Sequence, residues 1–266
     1  MTEQLLRVAL VQTPLYWENP VANLAMLEEK LANLTHPVDL IVLPEMFTSG
    51  FTMNPAAVAE PMHLTTHRWL RQMAAQTGAA ITGSYVVKEN GNFYNRLLWV
   101  APDGATDHYD KRHLFRMGDE NKHYTAGTQR IVKTWKGWRI CPLICYDLRF
   151  PVWSRNADLA YDLLLYVANW PSTRNTVWQT LLRARAIENQ CYTIGLNRTG
   201  TDENGIEYTG CSGVFDYLGQ NFTVETNAET IIYATLPQNP LTYYREEFPS
   251  YLDADNFSIK ITGVTE

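Results

Sequence analysis

The chain has 266 residues, 45% hydrophobic and 19% charged, which is enough to bury one substantial core and excludes a disordered tail or a disulfide-stapled miniature. Lys and Arg number 22 against 28 Asp and Glu, a formal charge of -6, so no electrostatic footprint for nucleic acid or an anionic membrane is present. Met1 to Arg7 lacks the layout of a signal peptide and no apolar run is long enough to span a bilayer, so the sequence reads as a soluble cytoplasmic protein with Cys141, Cys145, Cys191 and Cys211 as reduced thiols.

Leu5 to Val11 is a compact apolar run that reads as a strand. Pro20 to Leu34, with Val21, Leu24, Leu27, Leu31 and Leu34 at helical spacing, reads as a helix. Val38 to Leu43 is a second strand, apolar throughout, and it ends at Pro44-Glu45, which sets a carboxylate at the tip of a core strand. Leu64 to Gln76 reads as helix. Ala80 to Val87 and Phe93 to Ala101 read as two strands joined through Asn90-Gly91, a hairpin signal. Asp103 to Thr128 is polar and is expected to be a long ordered loop with one helical turn.

Trp138 to Ile144 is a strand ending at Cys145. Pro142 within it suggests an edge or a bulge, because proline has no N–H to give to a ladder. Tyr161 to Ala168 is a strand ending at Asn169-Trp170-Pro171, Asn175 to Gln190 a helix, and Tyr192 to Leu196 a strand. Gly210 to Tyr217 and Glu229 to Leu236 read as further strands, and Pro237 to Tyr251 as a segment packing on a surface. The alternation predicts a layered α/β sandwich with mixed sheets.

Strand ends thus deliver Glu45 and Cys145, and the polar loop delivers Lys111. A thiol becomes a nucleophile when a base removes its proton or a cation lowers its pKa, and attack on a carbonyl needs donors for the oxyanion. Taken singly, Cys145 reads as a small buried residue, Lys111 as a solvated charge and Glu45 as a helix-cap residue. His63 and His67 have the spacing of two metal ligands on a helix but lack the glutamate of a metalloprotease motif, and no P-loop, Gly-x-Gly-x-x-Gly or Gly-x-Ser-x-Gly sequence is present.

Leu40 to Glu45, Tyr109 to Phe115 and Ile144 to Pro151 stand in the order of the glutamate, lysine and cysteine motifs of the nitrilase (carbon–nitrogen hydrolase) superfamily, which the sequence resembles from Val8 to Gly219. Within it the chain is most similar to the omega-amidases. The resemblance implies a four-layer αββα sandwich of two mixed β-sheets, a single domain over 1–266 whose tail from about 237 packs on a surface or a dimer interface, and a homodimer. It implies Glu45, Lys111 and Cys145 as catalytic residues with Glu120 beside the lysine, Lys111 and the Tyr146 backbone N–H as oxyanion donors, and no metal or cofactor.

The partner it implies is a small-molecule amide, a dicarboxylate monoamide such as 2-oxoglutaramate or 2-oxosuccinamate. Arg174 is the first candidate for its far carboxylate and Arg116 the second, because a guanidinium matches two oxygens. Phe47 and Trp170 are expected as apolar walls, and Asp147 and Arg149 as a structural ion pair. The alternatives are an N-carbamoyl or metabolite-repair amidohydrolase with the same triad, and a non-catalytic scaffold.

Overall fold

Strand β1 (Leu5–Gln12) runs parallel to β2 (Leu40–Val42), Val8 opposite Leu40, because helix α1 (Pro20–Ala32) returns the chain across one face of the sheet. Asn19 caps α1 by accepting from Ala22 N–H at 3.1 Å and Pro20 opens it, while Leu24, Leu27 and Leu31 turn inward. This computed structural model describes residues 4–224 and 226–259. After the short α2 (Pro55–Val58) and α3 (Thr65–Thr77), β3 (Ala80–Glu89) and β4 (Asn92–Val100) form the expected hairpin. Asn90 and Gly91 both take positive φ, 49° and 79°, the pair of left-handed residues that a two-residue turn of matching twist requires.

The polar stretch expected as loop contains β5 (Thr106–Asp110), paired antiparallel with β4, and the short α4 (Glu120–His123). A pattern search misses β5 because it is an edge strand whose only fully buried side chain is Tyr109.

Next come β6 (Lys133–Trp135), β7 (Trp138–Ile144), α5 (Pro151–Ser154), β8 (Leu163–Ala168), α6 (Asn175–Glu188) and β9 (Tyr192–Asn197). The chain closes with β10 (Thr199–Thr201), β11 (Glu207–Thr209), β12 (Gly213–Phe215), β13 (Thr230–Pro237) and α7 (Gln238–Glu247). One sheet has the order β13-β1-β2-β3-β4-β5 and the other β12-β9-β8-β7-β6, both mixed; β10 and β11 form a separate ribbon. Pro142 sits in the second strand from the edge, but β6 pairs β7 only as far as Ile140, so at Pro142 that side of the ladder is already open.

Alternation along β1 divides the core. Leu6, Val8 and Leu10 pack with Ile140, Leu143, Leu163 and Leu165 between the two sheets, whereas Ala9 and Val11 join Leu27, Leu31, Leu70 and Met73 of α1 and α3. Helix α6 covers the second sheet through Trp178, Leu182 and Ala186, completing the four layers αββα. The tail expected only to lie on a surface includes α7, docked by Leu241 and by Arg245, which donates to Asp162 Oδ1 at 2.7 Å. Among the described residues no helix is long and apolar enough to cross a membrane.

Candidate active site

Glu45 leaves the end of β2, Lys111 follows β5, and Cys145 follows β7. The three meet where the two sheets present their strand ends. The turn after Glu45 is fixed by Met46 N–H to Ser84 Oγ and Phe47 N–H to Ser84 O, both 2.9 Å, with Met46 at φ 45°. Cys145 also has positive φ, 42°, a conformation that costs an L residue energy and recurs where function over-determines the backbone. It opens the 3-10 turn Cys145–Arg149, whose first N–H groups, including that of Tyr146, have no partner within the turn.

Lys111 is fully buried and lies between two buried carboxylates: Nζ donates to Glu45 Oε1 at 2.8 Å and to Glu120 at 2.9 Å (Oε2) and 3.1 Å (Oε1). Glu120 Oε2 also accepts from Phe115 N–H at 2.6 Å. Glu45 Oε2 accepts from Asn169 N–H at 2.8 Å, and Asn169 Nδ2 donates to Glu45 O at 2.7 Å. Asn95 Nδ2 reaches both carboxylates. The Lys111 ammonium stacks over Phe51 at 5.1 Å. Cys145 Sγ lies 3.9 Å from Asn169 O and interacts with the Glu45 carboxylate.

Burial, reinforced by Glu45, pushes the Cys145 thiol well above its ordinary value, and Lys111 offsets only part of this. A thiol raised in this way needs a base to take its proton before it can attack a carbonyl, and the Glu45 carboxylate stands beside it. Burial opposes the charge on Lys111, yet Glu120 and Glu45 hold its pKa above the usual lysine value. Burial raises Glu120, with Lys111 pulling the other way.

Cys145 opens onto a cavity of about 360 Å³ walled by Phe51, Phe115, Trp170 and Tyr208. Trp170 forms part of the wall as expected, but Phe47 does not. It is fully buried against Trp69 and Tyr85, because the turn at Met46 sends it under the sheet, and Phe51 takes the place at the wall. Arg174 lines the cavity, its guanidinium 5.6 Å above the Phe115 ring and 3.3 Å from Met117 Sδ. Arg116 does not line it; it is exposed on the 3-10 turn Arg116–Gly118.

Asp147 and Arg149 do not pair. Asp147 is buried and accepts from Ile144 N–H, Tyr109 Oη and His113 N–H and Nδ1, whereas Arg149 faces the cavity over the Trp170 ring at 5.1 Å. Positions two apart in a 3-10 turn point to different sides, so closeness in sequence does not bring these two side chains together. His63 and His67 meet through their Nδ1 atoms at 3.1 Å, with Thr106 Oγ1 on the far nitrogen of His67.

A family model described as carbon-nitrogen hydrolase matches residues 7–246. The chain belongs to the carbon–nitrogen hydrolase family. This family member is 49% identical over 255 residues to the omega-amidase YafV of Escherichia coli (strain K12), covering 96% of this chain and 98% of that protein. It is 30% identical over 250 residues to the 2-oxoglutaramate amidase of Bacillus subtilis (strain 168), covering 92% and 96%. In three dimensions it is similar to XC1258 from Xanthomonas campestris, a CN-hydrolase superfamily protein whose active site carries an arsenic adduct: TM-score 0.94, 46% identity, 98% of this chain and 100% of that one.

Proposed function

We propose that the chain is a thiol-dependent omega-amidase that hydrolyses the terminal amide of small dicarboxylate monoamides, 2-oxoglutaramate and 2-oxosuccinamate, to the acid and ammonia. The observation that carries this reading is Cys145 in the lining of the cavity, backed by the buried Glu45–Lys111–Glu120 cluster. The likeness to proteins named omega-amidase and 2-oxoglutaramate amidase supports the substrate class.

Glu45 takes the proton from the Cys145 thiol as sulfur attacks the amide carbon. The carbonyl oxygen becomes an oxyanion held by the Lys111 ammonium and the Tyr146 N–H. Collapse re-forms the carbonyl and breaks the C–N bond; the proton on Glu45 passes to the leaving nitrogen, which departs as ammonia and leaves a thioester. Water then gives a proton to Glu45 and its oxygen to the carbonyl carbon. The second collapse expels the Cys145 sulfur, which recovers the proton from Glu45. Glu120 holds Lys111 from the other side and keeps it charged.

The far carboxylate is held by Arg149 with Arg174, both of which line the cavity, and not by Arg116, the second candidate from the sequence, which does not line it. Arg149 makes no ion pair with a described residue, stacks on Trp170 and begins four residues after the nucleophile. The whole chain works as one domain in the cytoplasm, in keeping with four free cysteines. It pairs as a homodimer through the face where Val152, Ile187 and Leu218 stay exposed; sedimentation equilibrium tests the pairing.

The deciding experiment is ammonia release from 2-oxoglutaramate by the purified protein beside Cys145→Ala. Release lost in the variant supports both nucleophile and substrate; release from ureido acids in place of 2-oxoglutaramate would turn the reading to an N-carbamoyl amidohydrolase.

A further inference from the structure

Asn95 lies on β4, fully buried, and its side chain joins the two carboxylates of the site. Nδ2 donates to Glu45 Oε1 at 2.9 Å and to Glu120 Oε1 at 3.2 Å, so both amide hydrogens point at carboxylate oxygens. The opposite orientation would set Oδ1 against two acceptors, and chemistry therefore fixes which end of the amide faces them. Oδ1 is left buried with no hydrogen-bond partner. That orphaned acceptor is a cost an apolar residue of similar volume would avoid.

The two oxygens of Glu45 are unequal as a result. Oε1 accepts from Lys111 Nζ and from Asn95 Nδ2, which fills both of its lone pairs. Oε2 accepts one strong bond, from Asn169 N–H at 2.8 Å, and a long contact from Asn169 Nδ2 at 3.4 Å. Oε2, with one short bond and one long one that an incoming proton can displace, is the more open of the two.

We infer that Asn95 is a positioning residue for proton transfer: by closing Glu45 Oε1 it directs the Cys145 proton to Oε2, and by binding Glu120 with its second hydrogen it holds the two carboxylates in place around Lys111. The inference rests on Glu45 acting as the base. In the step concerned the S–H bond breaks, an Oε2–H bond forms, and that proton later leaves with the nitrogen. Asn95 touches none of the reacting atoms.

The test compares Asn95→Leu and Asn95→Asp with the wild type between pH 5 and pH 9. Both substitutions keep the number and branching of side-chain heavy atoms. Asn95→Leu should lower kcat about 10- to 100-fold with KM little changed, the loss expected for one hydrogen bond to a charged group. The Asp variant is an acceptor when ionised and a donor when protonated, so its deficit against the wild type should shrink as pH falls. A deficit equal at every pH, or one confined to KM, overturns the inference.

Near-UV circular dichroism checks folding. Asn95→Ser, whose hydroxyl has one hydrogen to give and cannot close both carboxylates, serves where the larger variants fail to fold, and a wild-type kcat in it would equally overturn the assignment. Alkylation of Cys145 by iodoacetamide, read by peptide mass, needs no substrate. A roughly tenfold slower alkylation in Asn95→Leu upholds the role of Asn95 even if 2-oxoglutaramate is not turned over; an unchanged rate overturns it whatever the substrate.

Discussion

The Tyr109 hydroxyl donates to Asp147 Oδ2 at 2.7 Å and thereby joins the strand before Lys111 to the turn after Cys145. The same oxygen accepts from Arg112 N–H at 3.1 Å and Trp153 Nε1 at 3.0 Å. Lysine and cysteine come from different sheets, and this buried junction sets their separation. Tyr109→Phe should destabilise the fold by about 1–3 kcal/mol, since it strips an acceptor from two donors and a donor from Asp147. Thermal unfolding checks this. An unchanged melting temperature would mean that the junction does not bear on the separation of the two residues.

Lys111→Met removes the one cation between Glu45 and Glu120. Breaking a buried ion pair from one side costs about 3–5 kcal/mol, and loss of an oxyanion donor lowers kcat about 100- to 1000-fold. Denaturant unfolding reads the first effect and steady-state kinetics the second. Equal losses in Lys111→Arg would show that the position of the charge matters as much as its presence.

Alkylation of Cys145 should climb with pH and show no plateau below about pH 9, because burial holds the thiol above its ordinary value and the thiolate fraction grows until that raised value is passed. A plateau near neutrality would mean that Lys111 prevails over burial. Cys141 and Cys191, pushed up to about 12 by burial and set away from the cavity that Cys145 lines, should lag behind it at every pH.

Arg149→Gln should raise KM for 2-oxoglutaramate about 10- to 100-fold, the worth of a charge-assisted bond, and leave an uncharged amide of the same length unaffected. Arg174→Gln should do less, because that guanidinium is already occupied by Phe115 and Met117. The reverse ranking in a two-substrate comparison would return the carboxylate grip to Arg174.

Asp162 makes the fold acid-sensitive. Burial acts to raise its pKa, but Arg139 and Arg245 outweigh it and hold the carboxyl below its ordinary value. A carboxyl lowered by folding stabilises while ionised, so its contribution is present above the unfolded value of about 4 and is lost as pH falls from there through the folded value. Asp162→Asn should lower stability at neutral pH and flatten its decline below pH 4, as measured by denaturant unfolding across that range.

Chain order and periodicity made the apolar strands of both sheets, α1, α3, α6 and the Asn90-Gly91 hairpin legible, though not the short β5, β6, β10 and β11, and the three motifs named Glu45, Lys111 and Cys145 before their convergence was visible. Glu120 was legible too, and it meets Lys111 in the buried cluster. What escaped depends on direction rather than on position. Phe47 follows Glu45 by two residues, yet the left-handed Met46 turns it away from the cavity. Arg149 was paired with a neighbour that the turn points elsewhere. Asn95 could be read only as one residue of a hairpin strand, because nothing in the pattern says which carboxylates lie across from it. In α7, Pro240 falls in the first turn, where a missing N–H is tolerated, so a segment rich in proline and aromatics still coils.

The bond from Phe115 N–H to Glu120 Oε2 closes a small ring of chain whose tip, Arg116 to Asp119, is held by its own turn bonds, Gly118 N–H to Phe115 O and Asp119 N–H to Arg116 O, with Met117 exposed against Arg174. The exposed Arg116 and Met117 can be exchanged in evolution or by design, and the mouth of the cavity reshaped, without unseating the buried charges of Glu45, Lys111 and Glu120. Changes in which amides such an enzyme accepts should therefore accumulate at this tip, while Phe115 and Glu120 on either side of it stay in place.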